Sequence, residues 1–249
     1  MALLSVNGVA KSYRKGGMFA SSRQQVLEDI SFELRQGECL GIIGESGSGK
    51  STLGRLLLGI ERPDAGSVLF GGKPVADRSA RMGDISAVFQ DYASSINPFH
   101  TVEQAIREPL RLKQIEGADA DGKIDQLLYQ TGLNASFRPK YPHELSGGEA
   151  QRVCIARAVA TEPRCIVFDE AISSLDGTVQ VQVLALLKSL REIYDMSSIF
   201  ITHDIQAAAY LCDRVMIIRG GRVEETVDVS DLRNVKSAYA RQLLQAVMA

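Results

Sequence analysis

Gly44-Glu45-Ser46-Gly47-Ser48-Gly49-Lys50-Ser51-Thr52 fits the phosphate-cradling pattern GxxxxGK[ST] without a gap. A short apolar run, Cys39–Ile43, precedes it, and the helix-spaced segment Leu53–Leu58 follows. Strand, loop and helix in that order are the context the pattern needs. Glycines let the backbone approach phosphate oxygens, so that successive N–H groups form an anion-binding nest. The positive end of the following helix adds to the attraction. Lys50 is placed to reach the outer phosphates, and the Ser51 hydroxyl to take one position on Mg²⁺. The stretch predicts a binding site for a nucleoside triphosphate.

The rest of the chain is consistent with a soluble α/β protein. Of 249 residues, 45% are hydrophobic and 23% charged, enough for one large α/β domain or two small ones, with an ample core either way. The net charge of −2 argues against a global basic field for nucleic acid. No apolar run approaches the roughly 18 residues of a membrane span. The first residues lack the charged and apolar regions of a secretory signal. Cys39, Cys154, Cys165 and Cys212 form no CxxC pair, so small buried thiols in a reducing cytoplasm are expected.

Outward from the loop, residues 3–14 and 26–35 read as strands, with Met18 and Phe19 in the segment between them as anchors or an apolar hairpin tip. Further strands are expected at Ser67–Phe70, Ile85–Phe89, Cys165–Phe168, Ser198–Thr202 and Val215–Ile218, the last in a hairpin with Arg222–Thr226. Helices are expected at Val102–Leu112, Ile124–Thr131, Glu149–Thr161, Val179–Tyr194 and Ile205–Cys212, with Glu116–Gly122 as a polar connection. Strands alternating with helices predict a mainly parallel, helix-covered core sheet. One domain over 1–249 is expected, with a catalytic core of 1–91 and 147–249 and an inserted helical subdomain over 92–146.

Cys165–Phe168 runs into Asp169-Glu170. Asp169 suits Mg²⁺, a hard ion that prefers oxygen, and Glu170 is suited to polarising an attacking water. Leu145-Ser146-Gly147-Gly148-Glu149 reads as a helix start, and equally as an anion site built from a serine and glycine N–H groups.

In order and spacing these segments resemble the ATP-binding cassette (ABC) ATPases. Leu145–Gly148 resembles that family's signature, and Ser173-Ser174-Leu175-Asp176 its D-loop. Gln90 resembles the Q-loop glutamine, His203 the switch histidine, and Tyr13 the aromatic that stacks on adenine. The resemblance spans essentially the whole chain. It implies a P-loop NTPase fold of the ABC type with an N-terminal antiparallel β subdomain, and ATP and Mg²⁺ as ligands. Gly44 to Thr52, Gln90, Asp169, Glu170 and His203 would serve one nucleotide, with Ser51, Gln90 and Asp169 on Mg²⁺. Ser146, Gly147 and Gly148 would serve the nucleotide of a second cassette paired head to tail, and Asp176 of the D-loop is a further cofactor-binding residue. His100 and His143 match no motif.

The segment between Tyr13 and Val26, and Gln90–Pro98, are similar to the peptide and nickel importer group. Such members work as two ATPases, often non-identical, beside two membrane subunits and an extracytoplasmic binding protein, at the cytoplasmic face of the membrane. The end at Ala249 lacks the cysteine-bearing extension common in peptide-importing members, so a nickel or metal-chelate importer is the favoured expectation and a peptide importer the alternative. A soluble ABC ATPase of DNA repair or translation would carry a long coiled-coil insertion or two cassettes, and a non-catalytic scaffold would not need Glu170 and His203. Two departures stand out: Glu149 where glutamine is more frequent, and Ser174 where alanine is frequent.

Overall fold

The computed structural model describes residues 2–14, 22–91 and 95–248. Met18 and Phe19, and part of the stretch after Gln90, lie outside the described residues. The chain divides into two units, residues 1–81 with 199–249, and residues 82–198.

The first unit contains an antiparallel sheet of β1 (Ala2–Arg14), β2 (Arg23–Arg35), β4 (Ala65–Phe70) and β5 (Lys73–Pro74), in the order β2-β1-β4-β5. Val6 is the register point, opposite Phe32 on one side and Val68 on the other. Leu4, Val6 and Val9 are buried while Asn7 is exposed, the alternation of a sheet with one wet face. The same unit carries β3 (Cys39–Ile43) between β9 (Arg214–Arg219) and β8 (Ser197–Thr202), with β10 (Arg222–Asp228) outside β9. β3 runs parallel to β9, from Leu40 opposite Arg214 to Ile43 opposite Ile217. All five residues of β3 are buried, as expected of a parallel strand covered on both faces. β9 and β10 form the expected hairpin through Gly220 and Gly221, whose φ values of 53° and 79° suit glycine. Helix α1 (Lys50–Leu57) buries Leu53, Leu56 and Leu57.

After α2 (Arg78–Arg81), the second unit pairs β6 (Ile85–Phe89) in parallel with β7 (Cys165–Asp169), Phe89 lying opposite Asp169. Its helices are α3 (Val102–Leu110), α4 (Gly117–Gln130), α5 (Gly147–Val159) and α6 (Gly177–Tyr194). Thr101 starts α3 with a reciprocal capping box to Gln104. Pro109 lies in the last turn of α3, and a 3-10 turn over Arg111–Lys113 follows, so the helix expected to reach Leu112 tightens there. A larger correction concerns α4, which begins at Gly117 rather than Ile124 and so takes in most of the stretch read as a polar connection. Its polar first half is recruited by charge: Asp121 pairs with Arg107 of α3 and with Arg138, and Arg138 also bonds Glu103 at 3.0 Å. α7 (Ile205–Leu211) and α8 (Ala238–Met248) complete the helices; no expectation covered α8.

Candidate functional site

Gly44 to Thr52 lies between β3 and α1, as the sequence predicts. Gly49 sits at φ 102° immediately before α1, and a Cβ there would fall 2.6 Å from Leu27 Cδ2, so only glycine fits. A Cβ on Gly44 would stand 2.2 Å from the carbonyl oxygen of Ile218. The loop therefore rests against β9 at one end and β2 at the other. Three further bonds brace it: Ser48 N donates to Glu45 O at 3.2 Å, Gly221 N to Ser48 O at 3.1 Å, and Glu45 N to Tyr239 Oη at 3.3 Å. Lys50 is buried, its ammonium donating to the carbonyls of Gly44 at 2.8 Å and Glu45 at 2.9 Å.

A triphosphate fits what remains. No side chain caps α1 and no acid lies in its first turn, so its positive end is unopposed from within the helix. Among the described residues the buried Ser48 hydroxyl finds no hydrogen-bond partner, and Gly47 leaves open space where a Cβ would stand. Ser51 is exposed on the first turn, and its hydroxyl is the kind of oxygen donor a hard cation takes.

Tyr13, at the end of β1, is held through its hydroxyl. It donates to Glu61 Oε2 at 2.6 Å, and Arg55 donates both to it at 3.3 Å and to Thr52 Oγ1 at 3.2 Å. Burial pushes the Glu61 carboxyl up, but the Tyr13 hydroxyl and Arg55 outweigh it and hold the group below its usual range. One guanidinium thus ties the tyrosine to the phosphate loop. Sequence reading missed Arg55 and Glu61, which match no motif and gain meaning only from folding. It also missed Tyr239, which lies on α8 and is 5% exposed. His203 follows β8 and is exposed; its neighbour Asp204 serves as cap of α7, accepting from Gln206 N at 2.8 Å and Ala207 N at 3.1 Å.

The second unit gathers the other candidates. The β6–β7 register sends Gln90 and Glu170 out at the same end of the pair, one residue past Phe89 and Asp169. Asp169 is buried at 9% exposure, and its carboxylate with the Gln90 amide oxygen makes an oxygen donor set suited to Mg²⁺. Glu170 takes φ 53°, a left-handed conformation unusual for glutamate, and its carbonyl is pinned by the Ser173 N–H at 3.2 Å and hydroxyl at 2.9 Å. Strain held in this way concentrates at functional sites. Asp176 precedes α6 as its cap residue without a side-chain cap bond.

Ser146 caps α5 in a complete box. Its hydroxyl accepts from Glu149 N at 3.4 Å, while its own N–H and hydroxyl donate to Glu149 Oε2 at 2.7 and 2.8 Å. The Ser146 N–H and hydroxyl hold the Glu149 carboxyl below its usual range. A Cβ on Gly148 would stand 2.9 Å from Val179 Cγ1, so this glycine allows α5 to approach the start of α6. The structure thus places Tyr13, Gly44 to Thr52 and His203 in the first unit. Gln90, Ser146, Gly147, Gly148, Asp169, Glu170 and Asp176 lie in the second.

Residues 27–173 match the family model described as ABC transporter. The chain is 46% identical over 246 residues to the metal-staphylopine import system ATP-binding protein of Staphylococcus aureus, covering 98% of each. It is 39% identical to the nickel import ATP-binding protein of Escherichia coli, covering 100% of this chain and 95% of that one. Among solved structures, a dimeric ATP-binding cassette, MJ0796, bound to ADP and phosphate matches with a TM-score of 0.81 and 28% identity, covering 91% of this chain and 98% of that one. A cassette from Clostridium perfringens, cbiO1, part of an ABC transporter complex, matches at 0.80 and 26% identity over 98% of both.

Proposed function

This chain belongs to the ABC transporter family as one of its ATPases, and from that premise we propose that it is the ATP-hydrolysing subunit of an importer for nickel or a metal chelate. The observation that carries the ATPase reading is the braced loop from Gly44 to Thr52, with Lys50 already held at the uncapped start of α1. The names of the two curated relatives support the cargo.

In this reading Lys50 and the backbone N–H groups of residues 44–52 hold the β- and γ-phosphates, and Tyr13 offers its ring to the base. Ser51, Gln90 and Asp169 would hold Mg²⁺, which when bound neutralises charge on the phosphate oxygens. Glu170 polarises the attacking water, and its pinned backbone fixes where its carboxylate leaves β7. His203 orients on the γ-phosphate from the end of β8. Ser146, Gly147 and Gly148 face the nucleotide of a second cassette, with Asp176 a further nucleotide contact, so that ATP joins two chains and hydrolysis releases them. We further place the inserted helical subdomain at 92–146, within a core of 1–91 and 147–249.

Partners follow from the same reading: a second cassette, two membrane permease subunits and an extracytoplasmic binding protein. Among the described residues no helix is long and apolar enough to cross a membrane. Likeness to the import ATP-binding proteins supports a peripheral place at the cytoplasmic face. The test is uptake into vesicles reconstituted with the whole complex, offering nickel, nickel chelates and short peptides in turn. ATP-dependent accumulation of the metal species supports the proposal, and accumulation of peptides alone refutes the cargo.

A further inference from the structure

Cys39 opens β3 and Cys212 follows the last residue of α7, and their sulfurs lie 3.4 Å apart in a buried site. The two backbones are fastened beside each other: Cys39 N donates to Asp213 Oδ2 at 2.8 Å, and Asp213 N to Cys39 O at 2.8 Å. Gly41 leaves room for the second sulfur, since a Cβ there would lie 3.1 Å from Cys212 Sγ. Among the described residues no group of three or more His, Cys, Asp or Glu could hold a metal ion, so the pair is not part of a usual zinc-type site. A disulfide needs the sulfurs about 2.05 Å apart, so the pair has about 1.4 Å to close.

We propose that Cys39 and Cys212 form a modification site, a thiol pair that a peroxide closes into a disulfide, and that the bond lowers ATP turnover. The chemistry balances with one hydrogen peroxide. The thiolate of one cysteine attacks a peroxide oxygen, the O–O bond breaks, and a sulfenic acid and one water result. The second thiol displaces the sulfenic oxygen as a second water while the S–S bond forms. Two S–H bonds are lost and one S–S bond is gained. Two elements of the nucleotide site feel the tether: β3 delivers Gly44, and α7 follows directly on His203 and its neighbour Asp204. Drawing the end of α7 toward β3 moves these groups against each other. A misplacement of about 1 Å in such a site costs on the order of 10²-fold in rate.

The other two cysteines act as internal controls. Burial pushes the Cys154 thiol up to about 12, so it is a poor nucleophile at neutral pH. The reduced chain is treated with hydrogen peroxide, unfolded, alkylated and mapped by peptide mass, with ATP turnover measured in parallel. The expected result is one peptide pair joined through Cys39 and Cys212, with Cys154 and Cys165 alkylated. Turnover is expected to fall by about 10- to 10²-fold and to return with dithiothreitol. In Cys212→Ala neither the crosslink nor the reversible loss should occur. If Cys39 and Cys212 stay alkylatable, or oxidise separately to sulfinic acids, the proposal is overturned; a complete crosslink with unchanged turnover overturns its regulatory half. Turnover is read in the reconstituted complex with its partner subunits; if that complex is inactive even before oxidation the enzyme assignment is refuted instead, and the crosslink then decides this inference alone.

Discussion

The helices that begin at Lys50 and at Gly147 start in opposite ways. Each has N–H groups at its first turn with no partner inside the helix. At α1 the preceding residue is Gly49, which offers no side-chain cap, and the first turn holds no acid. At α5 the preceding residue is Ser146, and Glu149 closes a reciprocal box on it. The difference teaches how one chain can treat two anion-seeking termini differently. The α1 terminus has no side-chain cap and no acid in its first turn, which suits a triphosphate. The α5 terminus is folded and stable by itself, which suits a surface shown to a partner.

The largest effect that would sharpen this contrast lies past β7. Glu170→Gln is expected to keep ATP bound while turnover falls by about 10²–10⁴, the scale of a lost general base. Steady-state phosphate release beside ATP binding checks it, and near-normal release removes Glu170 from that role. Next come the loop glycines. Gly44→Ala places a methyl against the Ile218 carbonyl and should cost about 1–3 kcal/mol. Gly47→Ala meets open space and pays only for its φ of 79°, about 1–2 kcal/mol. Denaturant unfolding of both variants measures the two costs, and a Gly44→Ala chain with no loss would mean that the loop is not braced on β9.

Ser146→Ala removes the α5 cap and should cost about 0.5–2 kcal/mol, read by the same unfolding curves. The smallest effect is a pH dependence. Bonds from Ser146 lower the Glu149 carboxyl in the folded state, so its contribution is present above the unfolded value, about 4.3, and is lost as pH falls through the folded one. Thermal unfolding should therefore separate Glu149→Gln from the parent near neutral pH and bring the two together in acid. A constant separation at all pH values would show that the difference does not come from the ionisation of Glu149.

The elements that carry most of the candidate site were legible because its motifs are local. Gly44 to Thr52 needs only a strand before it and a helix after it, and β3, β6 and β7 are short apolar runs bounded by polar residues. What escaped depends on contacts distant in sequence. The first half of α4 is polar and reads as a connection, yet Asp121 is held by Arg107 and Arg138 from other segments. Tyr239 braces Glu45 from 194 residues away. Arg55 joins Tyr13 to Thr52 only once β1 and α1 are folded. Charge pairs and long-range bonds of this kind leave no period in the sequence.

The claim at the centre is that the uncapped start of α1 receives the triphosphate and that Lys50 holds it there. Equilibrium binding of ATP to the parent and to Lys50→Ala tests this most directly. The account predicts an affinity lower by about 10- to 10²-fold in the variant, the worth of a charge-assisted hydrogen bond, measured at a temperature where both chains are folded. Equal affinities in two equally folded chains would contradict it.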